Sequence, residues 1–292
     1  MTSRPITGRV AGCLSAAPPA AGFPVTAHTT SHQRPFDNGM HQQLPWLAIG
    51  EKFPPPDTAW GPRDPAPGLL AAGGALDPQT LINAYSNGTF PWFSKGQPIL
   101  WWNPNPRMVL RTAAFRVHRS MQKKLKLFLG NPRFRLRIDT DFEQVITACA
   151  TKSRDGQAGT WIVPAMVDAY LALHVAGLAH SVETWLDDKL IGGLYCVNLG
   201  SMVFGESMFS HQTDASKIAL AGLVAFCRAK DIEIIDCQQN TGHMASLGAR
   251  EISRTAFLDH LMDSVPKPQP DWNFDPRFWK ELFPSRTELT LP

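Results

Sequence analysis

Three polar residues stand in strand-like sequence at positions where buried side chains are expected. Glu206 lies in the segment GlyGluSerMetPhe (205–209), and Asp236 and Gln238 lie in AspCysGln (236–238). Burying a carboxylate without a partner is costly, so carboxylates at such positions are enriched in functional sites. Glu206 alone is also compatible with a strand edge or with a carboxylate held by backbone N–H groups. The convergence of Glu206, Asp236 and Gln238 at strand ends favours a catalytic site.

The thiol of Cys237 offers an alternative nucleophile, with His243 nearby in the sequence. Side chains alternate along a strand, so Asp236 and Gln238 are predicted to share one face while Cys237 points into the core. The five cysteines are scattered, with neither metal-ligand spacing nor a disulfide framework. The histidines also lack the HisGluXaaXaaHis pattern of zinc enzymes. The sequence therefore predicts no metal and no other cofactor.

Every charged side chain between Arg107 and Arg137 belongs to Lys or Arg, although the formal net charge of the chain is only +3. Such a segment predicts one strongly positive face that binds a polyanion in a salt-dependent way. The alternative is a solvated helix followed by an edge strand kept soluble by Arg. The absence of Asp and Glu favours RNA, with Arg119, Lys123 and Lys124 as candidate contacts.

Trp161 follows Gly159 and Thr160 just before a predicted helix. A core position is the usual environment of a tryptophan. A tryptophan beside a glycine-containing turn can also stack on a base, as readers of single-stranded RNA do. The residues alone leave both interpretations open.

The regular part of the chain alternates helical and strand patterns, which predicts an α+β fold. The helix starts are marked by Asp77, Ser120, Thr140, Pro164 and Asp214, and a last helix runs from Arg254 to Met262. The predicted strands are 133–138, 179–186, 190–198, 202–209 and 233–237.

Composition divides the chain into segments of different character. The first is rich in Ala, Pro, Thr and Ser, and the second is dense in Pro, Gly and Trp. The predicted segments are a mobile tail (1–43), a small loop-rich N-terminal domain (44–110), a regular catalytic domain (111–265) and a C-terminal extension (266–292).

The chain contains no apolar run long enough to span a bilayer. The apolar region near the N-terminus is interrupted by Arg9, Ser15, Pro18 and Pro19, unlike that of a signal peptide. Scattered cysteines fit a reducing compartment. We therefore expect a cytoplasmic protein without membrane contact.

From about Phe53 to Arg254 the chain resembles the bacterial leucyl/phenylalanyl-tRNA–protein transferases, whose motifs recur here in the same order and spacing. These motifs are GlyLeuLeuAlaAlaGlyGlyAlaLeu (68–76), PheProTrpPhe (90–93), ProIleLeuTrpTrpAsnProAsnProArg (98–107), GlyThrTrpIle (159–162), AlaHisSerValGlu (179–183), GlyGlyLeuTyr (192–195), GlyGluSerMetPhe, AlaSerLys (215–217), AspCysGln and AlaSerLeuGlyAla (245–249).

The resemblance implies a small N-terminal domain followed by a domain of the acetyltransferase-like (GNAT-type) fold. It implies an ATP-independent aminoacyltransferase that moves Leu or Phe, and also Met, from charged tRNA to proteins with N-terminal Arg or Lys. The product is expected to enter the bacterial N-degron pathway of protein degradation. A monomer is expected.

Site residues are also implied by the resemblance. Asp236 and Gln238 match the catalytic AspCysGln, and Glu206 matches the acid of GlyGluSerMetPhe. Trp161 matches the tryptophan that stacks on the 3′ adenosine of the tRNA. Further substrate contacts are implied at Met208, Leu220, Ile235 and Trp92. The chain departs from the family pattern at Cys196, Asn105 and Thr241.

Other functions remain possible at this point. An acyltransferase with a different activated donor needs a phosphate-cradling turn before a helix, where SerHisGlnThrAspAlaSerLys (210–217) stands instead. A non-catalytic RNA-binding module explains the basic segment but gives Glu206, Asp236 and Gln238 no role. A glycan-binding site built on Trp92, Trp101 and Trp102 is a third alternative.

Overall fold

The computed structural model describes residues 43–151 and 162–283, in which the chain forms two β-sheets with helices packed between and around them. The first sheet is four-stranded, in the order β1-β2-β4-β3, and its strands are β1 (Trp46–Leu47), β2 (Leu69–Gly73), β3 (Phe90–Pro91) and β4 (Leu100–Trp102). The second sheet is seven-stranded, in the order β11-β5-β10-β9-β8-β7-β6. Its strands are β5 (Arg107–Arg111), β6 (Phe134–Ile138), β7 (Ala179–Leu186), β8 (Lys189–Leu199), β9 (Met202–Ser210), β10 (Ile234–Gln238) and β11 (Arg250–Ile252).

The helices connect these strands. They are α1 (Pro78–Ser86), α2 (Arg119–Leu129), α3 (Phe142–Thr151), α4 (Pro164–Val175), α5 (Ala215–Ala229), α6 (Gly242–Ser246) and α7 (Arg254–Ser264). In residues 43–151 and 162–283, no helix combines the length and apolar character that a bilayer crossing requires.

The pairing of β9 with β10 is parallel, whereas all the other recorded pairs of the larger sheet are antiparallel. A parallel pair needs a crossover connection, which α5 supplies here. Most of α5 is buried against the sheet, from Ala215 to Cys227. The mixture of meander and crossover confirms the predicted α+β class, whereas the acetyltransferase-like assignment stays a prediction.

The predicted helices are present, but some of their caps differ. Met121, Leu125 and Phe128 form the buried face of α2, as expected from their spacing. The helix begins one residue before Ser120, so Ser120 is not its cap. At α3 the Asp141 carboxylate, rather than Thr140, accepts the Gln144 N–H at 2.9 Å. Ser, Thr, Asp and Asn are all favoured at the N-cap position. When two of them are adjacent, as Thr140 and Asp141 are, spacing alone does not show which one caps the helix.

The start of α5 departs most from expectation. Asp214 has φ +67° and makes no cap bond to the helix, because its carboxylate pairs with Lys217 and Lys124. The Oγ of Ser210 instead accepts the Ser216 N–H at 2.9 Å.

The segment predicted to be loop-rich contains the first sheet and a packed aromatic core. Trp101 and Phe90 are buried there and belong to the same hydrophobic cluster as Phe142 and Tyr170. Strand β5 crosses the predicted boundary between residues 110 and 111, and it pairs with β10 and β11 of the larger sheet. The division of the chain into domains therefore stays a prediction, and the two sheets share one core.

Nearly all of the predicted tail and the last nine residues lie outside the described part of the chain. The described part of the C-terminal extension packs along α5. Trp272 stacks on Phe226 with ring centroids 4.6 Å apart and on His180 at 4.0 Å. Trp279 is also buried, so this segment completes the core.

Candidate active site

The site is built where β9 and β10 stop pairing. Their register joins Ile235 to Val203 and Asp236 to Phe204. Two residues further along each strand lie Glu206 and Gln238, which therefore reach the same level on adjacent strands. The Gln238 Nε2 donates to Glu206 Oε1 at 2.9 Å, and both side chains are fully buried.

Each of these strands carries a β-bulge at the site. On the β8 side, Tyr195 faces Ser207 and Cys196 faces Gly205, so Glu206 is the extra residue. A bulge bends a strand and re-aims its side chains, and bulges are common beside active sites. The Glu206 bulge thus helps to place its carboxyl at the point where β9 and β10 diverge.

The second bulge lies at Cys237. Met108 faces Gln238 and Val109 faces Asp236, which leaves Cys237 without an opposite residue. Asp236 and Gln238 still enter the polar group, and Cys237 lies in the hydrophobic core, as alternation predicted. The bulge was not predicted, and it accompanies a left-handed Gln238 with φ +62°.

A left-handed conformation is uncommon for residues other than glycine and costs on the order of 1–2 kcal/mol. At Gln238 it is stabilised locally, because the backbone N–H of Gln238 donates to Asp236 Oδ1 at 2.9 Å. The next N–H, of Gln239, donates to the Cys237 carbonyl at 2.7 Å. Asp236 therefore acts on Gln238 through the backbone, not through its side-chain amide.

Arg107 holds the other side of Asp236. Its Nε donates to Oδ1 at 2.8 Å and its Nη2 donates to Oδ2 at 2.5 Å. Both side chains are buried, with 1% and 0% exposure. Arg107 was predicted to belong to the positive surface, and that is wrong. A local charge count cannot reveal a partner that lies 129 residues away in the sequence.

Glu206 is surrounded by hydroxyl groups. Tyr85 donates to its Oε1 at 2.7 Å and Tyr170 to its Oε2 at 3.2 Å. Burial raises the pKa of Glu206 to about 7, the bonds from Tyr85 and Tyr170 act in the opposite direction, and the charge of Asp236 adds to the rise. Burial likewise raises the pKa of Tyr85 and of Tyr170 well above the ordinary range, so both stay hydroxyls.

The hydroxyls of Tyr85 and Tyr170 are also 2.5 Å apart, which closes a ring of contacts with Glu206. Two tyrosine protons can serve only two of the ring's three contacts. When Tyr170 donates to Tyr85 in place of Glu206, a proton on Glu206 Oε2 can donate to Tyr170 and serve the third contact. The geometry and the raised pKa of about 7 thus agree on a carboxyl that is protonated in a large share of the molecules near neutral pH.

Tyr85 and Tyr170 were missed by sequence reasoning. The chain has 16 phenylalanines but only three tyrosines, and two of the three bond to the same buried carboxyl. A tyrosine among so many phenylalanines was the available signal, because a buried hydroxyl usually needs a hydrogen-bond partner.

The residues predicted to bind substrate lie in different parts of the structure. Met208, Leu220 and Ile235 are brought together in one buried hydrophobic cluster. Trp92 lies in the other cluster, where its ring packs edge-on against Trp102 at 5.2 Å. Trp161 lies outside the described residues, so its predicted stacking on adenosine is untested.

The basic segment is only partly free at the surface. Besides Arg107, three of its cations pair with acids from other parts of the chain: Lys124 with Asp214 (3.3 Å), Arg133 with Asp187 (2.7 Å) and Arg137 with Asp188 (3.7 Å). Arg119, Lys123 and Lys126 are exposed on α2 and form no ion pair within the residues described. An open cleft of about 500 Å³ lies between α2 and the start of α5, lined in part by Lys124, Lys126 and Gln212.

Cys237 is buried, and burial raises the pKa of its thiol well above the ordinary range. Because the thiolate is the nucleophilic form, this environment disfavours the thiol alternative. Among the residues that the structure describes, no group of three His, Cys, Asp or Glu is placed to hold a metal ion.

Comparison with known proteins gives a consistent result. The family model described as leucyl/phenylalanyl-tRNA protein transferase matches residues 109–262, and the model of the N-terminal domain of such transferases matches residues 74–105. A leucyl/phenylalanyl-tRNA–protein transferase of Polaromonas sp. is 63% identical over 87% of this chain and 99% of its own length. Proteins of the same name from Albidiferax ferrireducens (60% identical, 82% and 94% covered) and Burkholderia pseudomallei (53%, 80% and 92%) are also similar.

Proposed function

The chain belongs to the leucyl/phenylalanyl-tRNA–protein transferase family, and on that premise we propose that it moves Leu or Phe, and also Met, from charged tRNA to proteins with N-terminal Arg or Lys. The α-amine of the acceptor is the nucleophile, and the product enters N-degron degradation. The observation that carries the proposal is the buried group of Asp236, Gln238 and Glu206 at the divergence of β9 and β10.

The proposed chemistry needs no ATP, because the ester of an aminoacyl-tRNA is already activated. The acceptor α-amine, whose ordinary pKa is about 8, must lose a proton and sit against the ester carbonyl. As the new amide bond forms, the ester C–O bond breaks and the ribose oxygen of the tRNA leaves as a hydroxyl, so the proton lost by the amine balances the one gained there. Positioning and this proton transfer can therefore supply most of the catalysis. The amide nitrogen of Gln238 is engaged by Glu206, which leaves its carbonyl oxygen to accept a hydrogen bond from the amine.

Glu206 serves in this proposal as the support of Gln238. A carboxyl whose pKa is raised to about 7, and which is closed in by two tyrosines, is poorly suited to hold a cationic amine. It is well suited to fix the amide of Gln238 in one orientation. Asp236 fixes the backbone of the same residue, so the two acids hold Gln238 at both ends.

We also propose that α2 binds the tRNA backbone. Lys123→Ala is expected to lower the slope of log affinity against log salt by about 1, because one phosphate contact is lost. Lys124→Ala should change the slope less, since Lys124 already pairs with Asp214. Lys52→Ala removes the same charge from an exposed site outside the basic segment and is the matched control. Filter binding of charged tRNA over a salt series measures the slopes, and equal slopes for Lys123→Ala and the parent contradict this role.

For the amino-acid pocket, we propose the buried cluster around Met208, Leu220 and Ile235. Transfer from Leu-tRNA is expected to be faster than transfer from Val-tRNA or Ile-tRNA. The β-branch of Val and Ile lies beside the reacting carbonyl and is stiff at χ1. Initial rates with each charged tRNA at equal concentration test this, and comparable rates for Val and Leu would exclude the pocket.

The proposed substrates are cytoplasmic, so we place the reaction there, and we propose that the enzyme acts as a monomer. Both edges of the larger sheet are poor templates for pairing. Strand β11 is short, and β6 carries Arg135 and Arg137. Short or charged edges oppose association through strands.

The direct test is to incubate the protein with radiolabelled Leu-tRNA and a peptide that begins with Arg. Label in the peptide is the expected result, and a peptide that begins with an acetylated Arg is the control without a free amine. Binding of tRNA without transfer to either peptide would indicate a non-catalytic RNA-binding module instead.

A further inference from the structure

Arg107 is the most completely enclosed cation of the larger sheet. The carbon of its guanidinium lies over the ring of Phe90 (4.8 Å) and over that of Phe257 (4.5 Å), and its Nη1 donates to the Gly88 carbonyl at 2.9 Å. Its Nε and Nη2 form the two bonds to Asp236. The first sheet, α7 and β10 thus all contact one side chain.

These contacts favour one orientation of the guanidinium. Its planar fork matches a carboxylate through two parallel bonds, and the bond to Gly88 and the contacts with the two rings restrict its movement. Asp236 is therefore held with both oxygens engaged by Arg107. In that orientation Oδ1 also accepts the Gln238 N–H that supports the left-handed backbone.

We propose that Arg107 is a positioning residue of the transfer site, which aims the Gln238 side chain by fixing Asp236. It does not touch substrate. The inference rests on the proposed function of Gln238. It assigns Arg107 a role different from the RNA contact that the basic segment predicted.

A purely structural role is the competing explanation, since Arg107 joins several elements. The structural role and the positioning role predict different effects on the Gln238 N–H bond and on the transfer rate. A structural role predicts lower stability with an unchanged rate in the molecules that remain folded. A positioning role predicts that the N–H bond of Gln238 and the rate of transfer fall together.

Arg107→Lys keeps the charge but loses the fork, so it separates these outcomes. We expect the single-turnover rate at saturating charged tRNA to fall about 10²-fold, as misplacement by about 1 Å does elsewhere. The affinity for charged tRNA should stay within about twofold, because Arg107 is fully buried and cannot contact a phosphate. Amide hydrogen exchange at Gln238, measured by NMR, should accelerate while exchange at Ile234 is unchanged.

Leu261→Ala is the matched control, since it removes a buried side chain of α7 and leaves the ion pair intact. It is expected to destabilise the protein by about 2–5 kcal/mol and to keep the transfer rate of the folded protein. If Arg107→Lys does not fold, Phe90→Leu replaces it, because it removes one ring from the guanidinium and keeps both ion-pair partners. There too, exchange at Gln238 and the transfer rate should change together.

A folded variant with the parent rate and the parent exchange at Gln238 overturns the proposal. A parent protein that transfers nothing overturns the proposed function instead. The exchange measurement still reports in that case whether Arg107 fixes the backbone of Gln238.

Discussion

Replacing both Asp236 and Gln238 is expected to slow transfer little more than the worse of the two single replacements. Asp236 supports the backbone turn that presents the Gln238 amide, so the two residues act as one unit. Asp236→Asn and Gln238→Ala should each lower the single-turnover rate by about 10²-fold or more, whereas residues that act as a unit lose activity non-additively. Saturating charged tRNA isolates the chemical step.

Asp236→Asn is preferable to Asp236→Ala for this purpose. Both replacements leave the buried Arg107 without a counter-charge, which costs about 3–5 kcal/mol. Asn keeps most of the side-chain volume, whereas Ala would open a cavity as well. Cys237→Ala, at the position between Asp236 and Gln238, is the control. It should keep most of the activity and lose about 1 kcal/mol of stability from the small cavity. Fully additive losses at Asp236 and Gln238 would contradict the coupled pair, and an inactive but folded Cys237→Ala would restore the thiol as a candidate nucleophile.

Glu206→Gln is expected to remove a pH-dependent part of the folding stability. The pKa of Glu206 is 4.5 in the unfolded chain and about 7 in the folded protein, so the folded state binds this proton more tightly. The folding stability gained from this tighter proton binding is complete below pH 4.5 and is lost as the pH rises through about 7. A shift of this size corresponds to about 3 kcal/mol.

Urea unfolding of the parent and the variant at several pH values between 4.5 and 8 measures this contribution. The difference in unfolding free energy between the two should drift in favour of the variant as the pH rises. Gln keeps an oxygen for the tyrosine hydroxyls, so the packing around it is preserved. A difference that stays constant with pH would mean that Glu206 is ionised throughout this range.

The larger elements could be predicted because their periodicity is long enough to read. Strands β7, β8 and β9 were expected within one residue of their observed ends, and so was the crossover helix α5. The first sheet was missed because strands such as β1 and β3 are two residues long, too short for any alternation to appear.

The sequence predicted three residues of the candidate active site but not their hydrogen-bond and ion-pair partners. Glu206, Asp236 and Gln238 could be identified as polar residues in buried sequence. Their partners could not, because Arg107 and Tyr85 come from the first half of the chain and meet the site only through tertiary structure. The bulges at Glu206 and Cys237 were equally hidden, since one extra residue leaves an apolar pattern readable on both sides.

The place of β10 in the sheet has a consequence for how the protein folds. This strand lies between β5 and β9, and its contact from Asp236 to Arg107 spans 129 residues of chain. Contacts of such long range form slowly, because the entropy of closing the loop is lost before the contact is gained. Until β10 inserts, β9 is an open edge and β5 and β11 are separate from the rest of the larger sheet. The strand that completes the sheet is also the strand that brings Asp236 and Gln238 to Glu206, so the candidate active site is assembled only when the larger sheet is complete.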